Sequence, residues 1–213
     1  MAAVERGLLP ADAAQRDDLA RFVERALRLD EAAVIRLRRR SDTAVVAWTA
    51  TGFDVLASRV VLGAVRPGDL CAGADALARG LAAARGVRLW IDTGFPMDSA
   101  WRSALPPDTG FVHLDDVPAG AVHALAEQGA ALAKEHTGAH GPPVSLLDQE
   151  VMHVSGADDE VGIPMRCVFA LTAMGFLPPG DEIVRVRVTP AWLRIDARFG
   201  SVYRRRGGPL LLS

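Results

Sequence analysis

The side chains with the most chemistry to offer are grouped by type. His113, His123, His136, His140 and His153 are all the histidines of the chain, and they lie between Arg102 and Arg166, a stretch without arginine. Imidazole titrates near neutral pH and ligates metals. His136 and His140 are four residues apart, the spacing with which a helix presents two zinc ligands on one face. Here Gly138, Gly141, Pro142 and Pro143 break any helix, and Thr137 stands where a general-base glutamate would follow the first histidine. The pair therefore falls in a loop. With His153 it forms a weak metal set, and no metal or other cofactor is expected. A metal-assisted hydrolase built on this His/Asp-rich segment is one functional alternative.

The second group is arginine. Arg36, Arg38 and Arg40 alternate with Ile35 and Leu37; Arg185 and Arg187 alternate with Val184, Val186 and Val188; Arg194 and Arg198 alternate with Leu193, Ile195 and Phe199. A period of two puts apolar residues on one face of a strand and guanidinium groups on the other. Together with Arg204, Arg205 and Arg206 these ten arginines are the candidate phosphate or nucleic-acid ligands. A half-solvated antiparallel sheet gives the same pattern without binding anything. Lys134 is the single lysine, so the bias towards arginine matches coding in a GC-rich genome and weakens the link between arginine and phosphate.

Charge sets these groups against each other. The stretch between Arg102 and Arg166 carries ten carboxylates and one lysine, a formal charge of −9, whereas the whole chain carries −2. The sequence is thus basic, acidic, then basic. The acidic middle is expected to pack near the arginine-faced strands of its own chain.

Asp-Thr-Gly-Phe occurs twice, at Asp92–Phe95 and Asp108–Phe111. The first three letters resemble the catalytic triplet of aspartic proteases, which keep a small residue after the glycine. This chain has phenylalanine both times, and both copies read as turns. There is no Gly-x-Ser-x-Gly and no phosphate-cradling glycine loop. Cys71 and Cys167 are far apart and suit two buried, reduced thiols.

The elements that must position these groups follow from periodicity. Asp12 to Leu29 predicts an amphipathic helix with Leu19, Phe22, Val23, Ala26 and Leu27 inward. Strands are predicted at 33–40, 44–50 and 53–62, then an alanine-rich helix ending at Gly86. A short strand over 87–91, a short helix over 98–105 and a strand over 111–114 follow. Pro118 opens a helix to His136. A short helix at Ser145, a hairpin of 151–154 with 161–163, a buried helix over 164–177, and strands at 182–189, 191–199, 201–206 and 209–213 complete the chain. The class is α+β, a mainly antiparallel sheet packed against several helices in the order α-βββ-α-β-α-β-α-ββ-α-βββ. We read residues 1–213 as a single α+β domain with a weak boundary in the 137–144 loop.

No segment is apolar enough to span a membrane, and Met1–Arg6 does not read as a secretory signal. The leading functional reading is a non-enzymatic cytosolic binding or scaffolding protein acting through protein contacts, with a protein partner or itself, as a homodimer. The first alternative is a nucleic-acid-associated protein using the arginine-faced strands. Leu210, Leu211 and Leu212 need cover, either from the chain's own core or from a neighbouring copy; Gly207-Gly208 gives the tail freedom to reach, so a twofold dimer is the expectation.

Overall fold

The computed structural model describes residues 6–84, 90–136, 143–156, 159–180 and 182–207. They form two compact units, Met1–Gly52 with Leu56–Ala104, and Phe53–Val55 with Leu105–Ser213. The division falls at Ala104/Leu105, and the 137–144 loop lies within the second unit. Both units are helices on antiparallel strands, the α+β class that periodicity predicts.

In the first unit, β1 (Gly7–Pro10) precedes α1 (Ala13–Leu29), followed by β2 (Val34–Ser41), β3 (Ala44–Ala50), β4 (Leu56–Arg66), β5 (Asp69–Gly73) and α2 (Ala74–Ala83). The strands pair in the order β5-β2-β3-β4-β1. Asp12 caps α1 by accepting the Gln15 N–H at 2.9 Å, which satisfies one of the donors a helix start leaves unpaired. Leu19, Phe22, Val23 and Ala26 then bury the inner face of α1 with Ile35, Leu37, Val45 and Val61 of the sheet and Leu77 and Leu81 of α2.

In the second unit, β6 (Val112–Pro118) leads into α3 (Ala119–His136), α4 (Val144–Asp148), β7 (Glu150–Gly156), β8 (Asp159–Pro164), α5 (Met165–Ala173), β9 (Ile183–Thr189), β10 (Trp192–Ala197) and β11 (Gly200–Arg205). The strands run β11-β10-β9-β6, and β7 and β8 form a separate hairpin. As its composition predicts, α5 is buried almost all round. Gly129 of α3 has no room for a side chain, because a Cβ there would meet the Met165 Sδ at 2.6 Å.

Several elements differ from the expectation. Strands β1 and β5, of four and five residues, are too short to show alternation and were not predicted. The expected helix over 98–105 is only a 3-10 turn, Asp98–Ala100, before Pro106-Pro107. The strand expected at 111–114 runs on to Pro118. The strand expected over 191–199 stops at Ala197; Arg198 and Phe199 form the turn into β11, so Phe199 is not an inward strand residue. Of the strand expected over 87–91, residues 87–89 lie outside the described residues, while Ile91 makes a single bridge to Leu8. Gly86, most of the 137–144 loop and the leucine tail also lie outside them.

Candidate functional site

The arginine stripes form as alternation predicts, and each meets something of its own unit. On β9 and β10, Val184, Val186, Val188, Leu193 and Ile195 are buried while Arg185, Arg187 and Arg194 face the other way. Asp196 sits among these arginines. It accepts from Arg187, from Arg194 at 2.7 Å, and from the Ser201 hydroxyl. Arg194 also lies 5.5 Å from the ring centres of both Phe111 and Tyr203. Arg185 is 3.8 Å from Asp116, which is also bonded to His113 at 2.8 Å. Arg198 pairs with Glu182 at 2.6 Å and stacks on Phe199.

In the first unit, Arg36 grips Asp69 with two hydrogen bonds of 2.8 and 2.6 Å and lies over Trp101. That grip raises the Arg36 pKa above its ordinary value, against the effect of partial burial. Arg38 stands opposite Asp69 in the β2–β5 register, and Arg40 is exposed at the end of β2.

The remaining three candidates converge. Arg204, Arg205 and Arg206 line an open groove of about 200 Å³ with Glu150 and Glu160, floored by Val161 and Leu193. Gly162 makes this possible: a Cβ there would meet the Glu150 carboxylate at 2.2–2.5 Å. Arg206 holds Asp159 through two hydrogen bonds of 2.8 and 2.9 Å and donates to the carbonyls of Thr189 and Glu160. The fork pushes the Asp159 pKa down and the Arg206 pKa up. Arg204 reaches Asp148 at 3.5 Å, and Asp148 also pairs with the buried Arg166. Arg205 lies over the Trp192 ring at 5.2 Å. Asp116, Asp148 and Asp159 of the acidic stretch thus pack on arginines of the second unit, as the charge pattern predicts.

Of the metal candidates, only His153 has a described side chain. His153 is exposed, 3.8 Å from Glu150 and 3.9 Å from Glu160. His140 and the His136 side chain lie outside the described residues. Among the described residues no group of three His, Cys, Asp or Glu side chains is placed to hold a metal ion. Both cysteines are buried, and burial pushes the Cys71 thiol up to about 11 and the Cys167 thiol up to about 12. Alternation could not show Asp196 as a hub, although its place two residues after Arg194 put both on one strand face. The aromatic beds under Arg194 and Arg205 needed the pairing of β10 with β11, which sets Tyr203 opposite Arg194 and Trp192 opposite Arg205.

Residues 106–209 match a family described as a domain of unknown function (DUF8185), and residues 3–103 match another described as a domain of unknown function (DUF8010). These ranges follow the two units. A search of curated proteins found no match. Among solved structures the chain is similar to bacterial DNA polymerase sliding clamps. The DNA polymerase sliding clamp of Bacillus subtilis matches with a TM-score of 0.60 at 14% identity, over 96% of this chain and 66% of that one. The beta subunit of DNA polymerase from Streptococcus pyogenes matches at 0.60 and 11%, over 95% and 65%. The DnaN sliding clamp of Bartonella birtlesii matches at 0.57 and 14%, over 94% and 64%. The chain thus spans about two thirds of the length of these clamps, and the likeness is one of fold. No helix among the described residues is long and apolar enough to cross a membrane.

Proposed function

We propose that this protein is a non-enzymatic scaffold of the cytosol that works through protein contacts, its own copies included. The observation that carries the reading is the likeness to DNA polymerase sliding clamps, which extends over nearly the whole chain. The arginine faces support protein contact over phosphate binding. Arg36, Arg185, Arg187, Arg194, Arg198, Arg204 and Arg206 each have a carboxylate of the same unit as partner. A phosphate ligand would have to displace those carboxylates, losing ion pairs already made, most of them charge-assisted hydrogen bonds. Sedimentation velocity over a range of protein concentrations tests the self-contact: a concentration-dependent dimer is expected, and a monomer throughout would overturn it.

The second reading is association with nucleic acid through the same ten arginines, favoured by the likeness to DNA polymerase sliding clamps. Fluorescence anisotropy with a labelled DNA duplex separates the two. Binding by the stripes would weaken steeply with salt, because each neutralised phosphate releases counterions. The scaffold reading expects no binding at physiological salt.

A further inference from the structure

The Asp-Thr-Gly-Phe sequence at Asp92–Phe95 ends in a phenylalanine that is 89% exposed. Its segment is pinned from every side. Ahead of it, Ile91 exchanges two backbone hydrogen bonds with Leu8, at 2.7 and 3.0 Å. Within it, the Gly94 N–H donates to the Asp92 carboxylate at 2.8 Å, and Gly94 has a φ of +75°. Behind it, the Met97 N–H donates to the Cys71 carbonyl at 3.0 Å, and the Asp98 carboxylate accepts the Cys71 N–H at 2.8 Å. The ring is therefore held out from an ordered turn. A side chain presented in this way loses little freedom on binding.

We infer that Phe95 is a docking anchor, whose ring enters an apolar cavity with a basic mouth on a different protein. The inference rests on the scaffold reading and gives it a surface. Trp90 lies under Arg66 at 4.9 Å, Trp101 under Arg36 at 5.7 Å, and Phe111 beside both Arg194 and Tyr203. Guanidinium groups or ring edges lie beside these three rings. Phe95 has neither among the described residues. The carboxylate of Asp92 is exposed at the same turn, so the mouth that suits it is cationic. A second copy is the wrong host at the groove of Arg204–Arg206. That groove is walled by ion-paired side chains, and its apolar floor, Val161 and Leu193, is itself buried.

The test places a photo-crosslinking phenylalanine analogue at position 95 of the full chain in its native host, and at Val144, another exposed apolar position, as control. One adduct with a single other protein is expected from 95 and not from 144. That protein, purified, should then bind the full chain in calorimetry, and Phe95→Ala should weaken it by about tenfold or more. Asp92→Asn keeps the turn's acceptor oxygen but removes the charge, and should weaken binding at low salt more than at high salt. An unchanged melting temperature of Phe95→Ala confirms that folding is not the cause. No adduct at 95, an adduct with a second copy, or a Phe95→Ala variant that binds as tightly as the native chain would overturn the inference. An adduct from position 144 alone would also overturn it while leaving the scaffold reading in place.

Discussion

Two regions of this chain begin with the same four residues and end differently. At Asp92–Phe95 and at Asp108–Phe111, Asp-Thr-Gly makes a turn whose glycine has positive φ, +75° and +86°. Local chemistry explains that much, since glycine alone enters this region without steric cost. The phenylalanines then part. Phe111 leads into β6, where Tyr203 of β11 meets it edge-on with 6.1 Å between ring centres and Arg194 of β10 lies beside it. Phe95 leads into a segment that bridges the outer side of β5 at Ala72↔Pro96, and its ring stays in solvent. The turn is a property of four residues. The fate of the ring belongs to strands far away in sequence.

The sharpest way to break the contrast is to remove what holds Phe111. Tyr203 is buried and bridges Phe111 and Arg194. Tyr203→Ala should leave a cavity and cost about 3 kcal/mol of stability in denaturant unfolding. It should also leave Phe111 as exposed as Phe95, which quenching of a fluorinated Phe111 signal by a soluble paramagnet would report.

The turns themselves differ next. A Cβ on Gly94 would lie 2.7 Å from the Cβ of Ala76, whereas nothing comes within 4 Å of one on Gly110. Gly110→Ala should carry only the strain of positive φ, about 1 kcal/mol, while Gly94→Ala must also shift α2 or the turn, for about 2–3 kcal/mol. Equal costs in chemical denaturation would show that the two turns are equally free.

The legible part of the fold is the part with a long period. Leu19, Phe22, Val23 and Ala26 announced α1, the alternating valines announced β9, and the surplus of acid in the middle announced its pairing with arginine. The rest depends on tertiary context. Strands β1 and β5 are too short for a pattern to repeat, and they are defined by their pairing with β4 and β2. The arginines were legible as a face but not as a site. Whether a guanidinium is free for a ligand depends on Asp69, Asp148, Asp159 and Asp196, which only the tertiary fold brings to it. Phe95 was hidden for the same reason: nothing in Asp-Thr-Gly-Phe separates the copy that finds a tyrosine from the one that does not.

A smaller effect tests the carboxylates of the acidic stretch. Arg206 holds the Asp159 pKa below its ordinary value, so the pair stabilises the fold at neutral pH. That contribution persists above the usual aspartate range and is lost as pH falls through the depressed value. In a carbon-detected NMR titration Asp159 should titrate below the usual aspartate value of about 3.9 and return to it in Arg206→Ala. An unchanged midpoint would mean that the fork does not hold in solution.

The smallest expected effect completes the contrast. Phe95→Ala removes a large aromatic ring, a change that costs about 3–5 kcal/mol inside a core. At this turn the ring is 89% exposed and touches no other ring or guanidinium among the described residues, so almost no apolar surface returns to water on truncation. The backbone contacts that hold the turn come from Leu8, Cys71, Asp92 and Gly94, and none of them involves the Phe95 side chain. Stability should therefore change by no more than about 0.5 kcal/mol, the scale of ordinary surface substitutions. Phe111→Ala, the same substitution in the same tetrapeptide, should cost several times as much because it strips Tyr203 and Arg194 of a partner. Denaturant unfolding of the two variants side by side is the measurement. A loss at Phe95 comparable to that at Phe111 would mean that the ring is packed in solution, and the surface assigned to docking would be part of the fold.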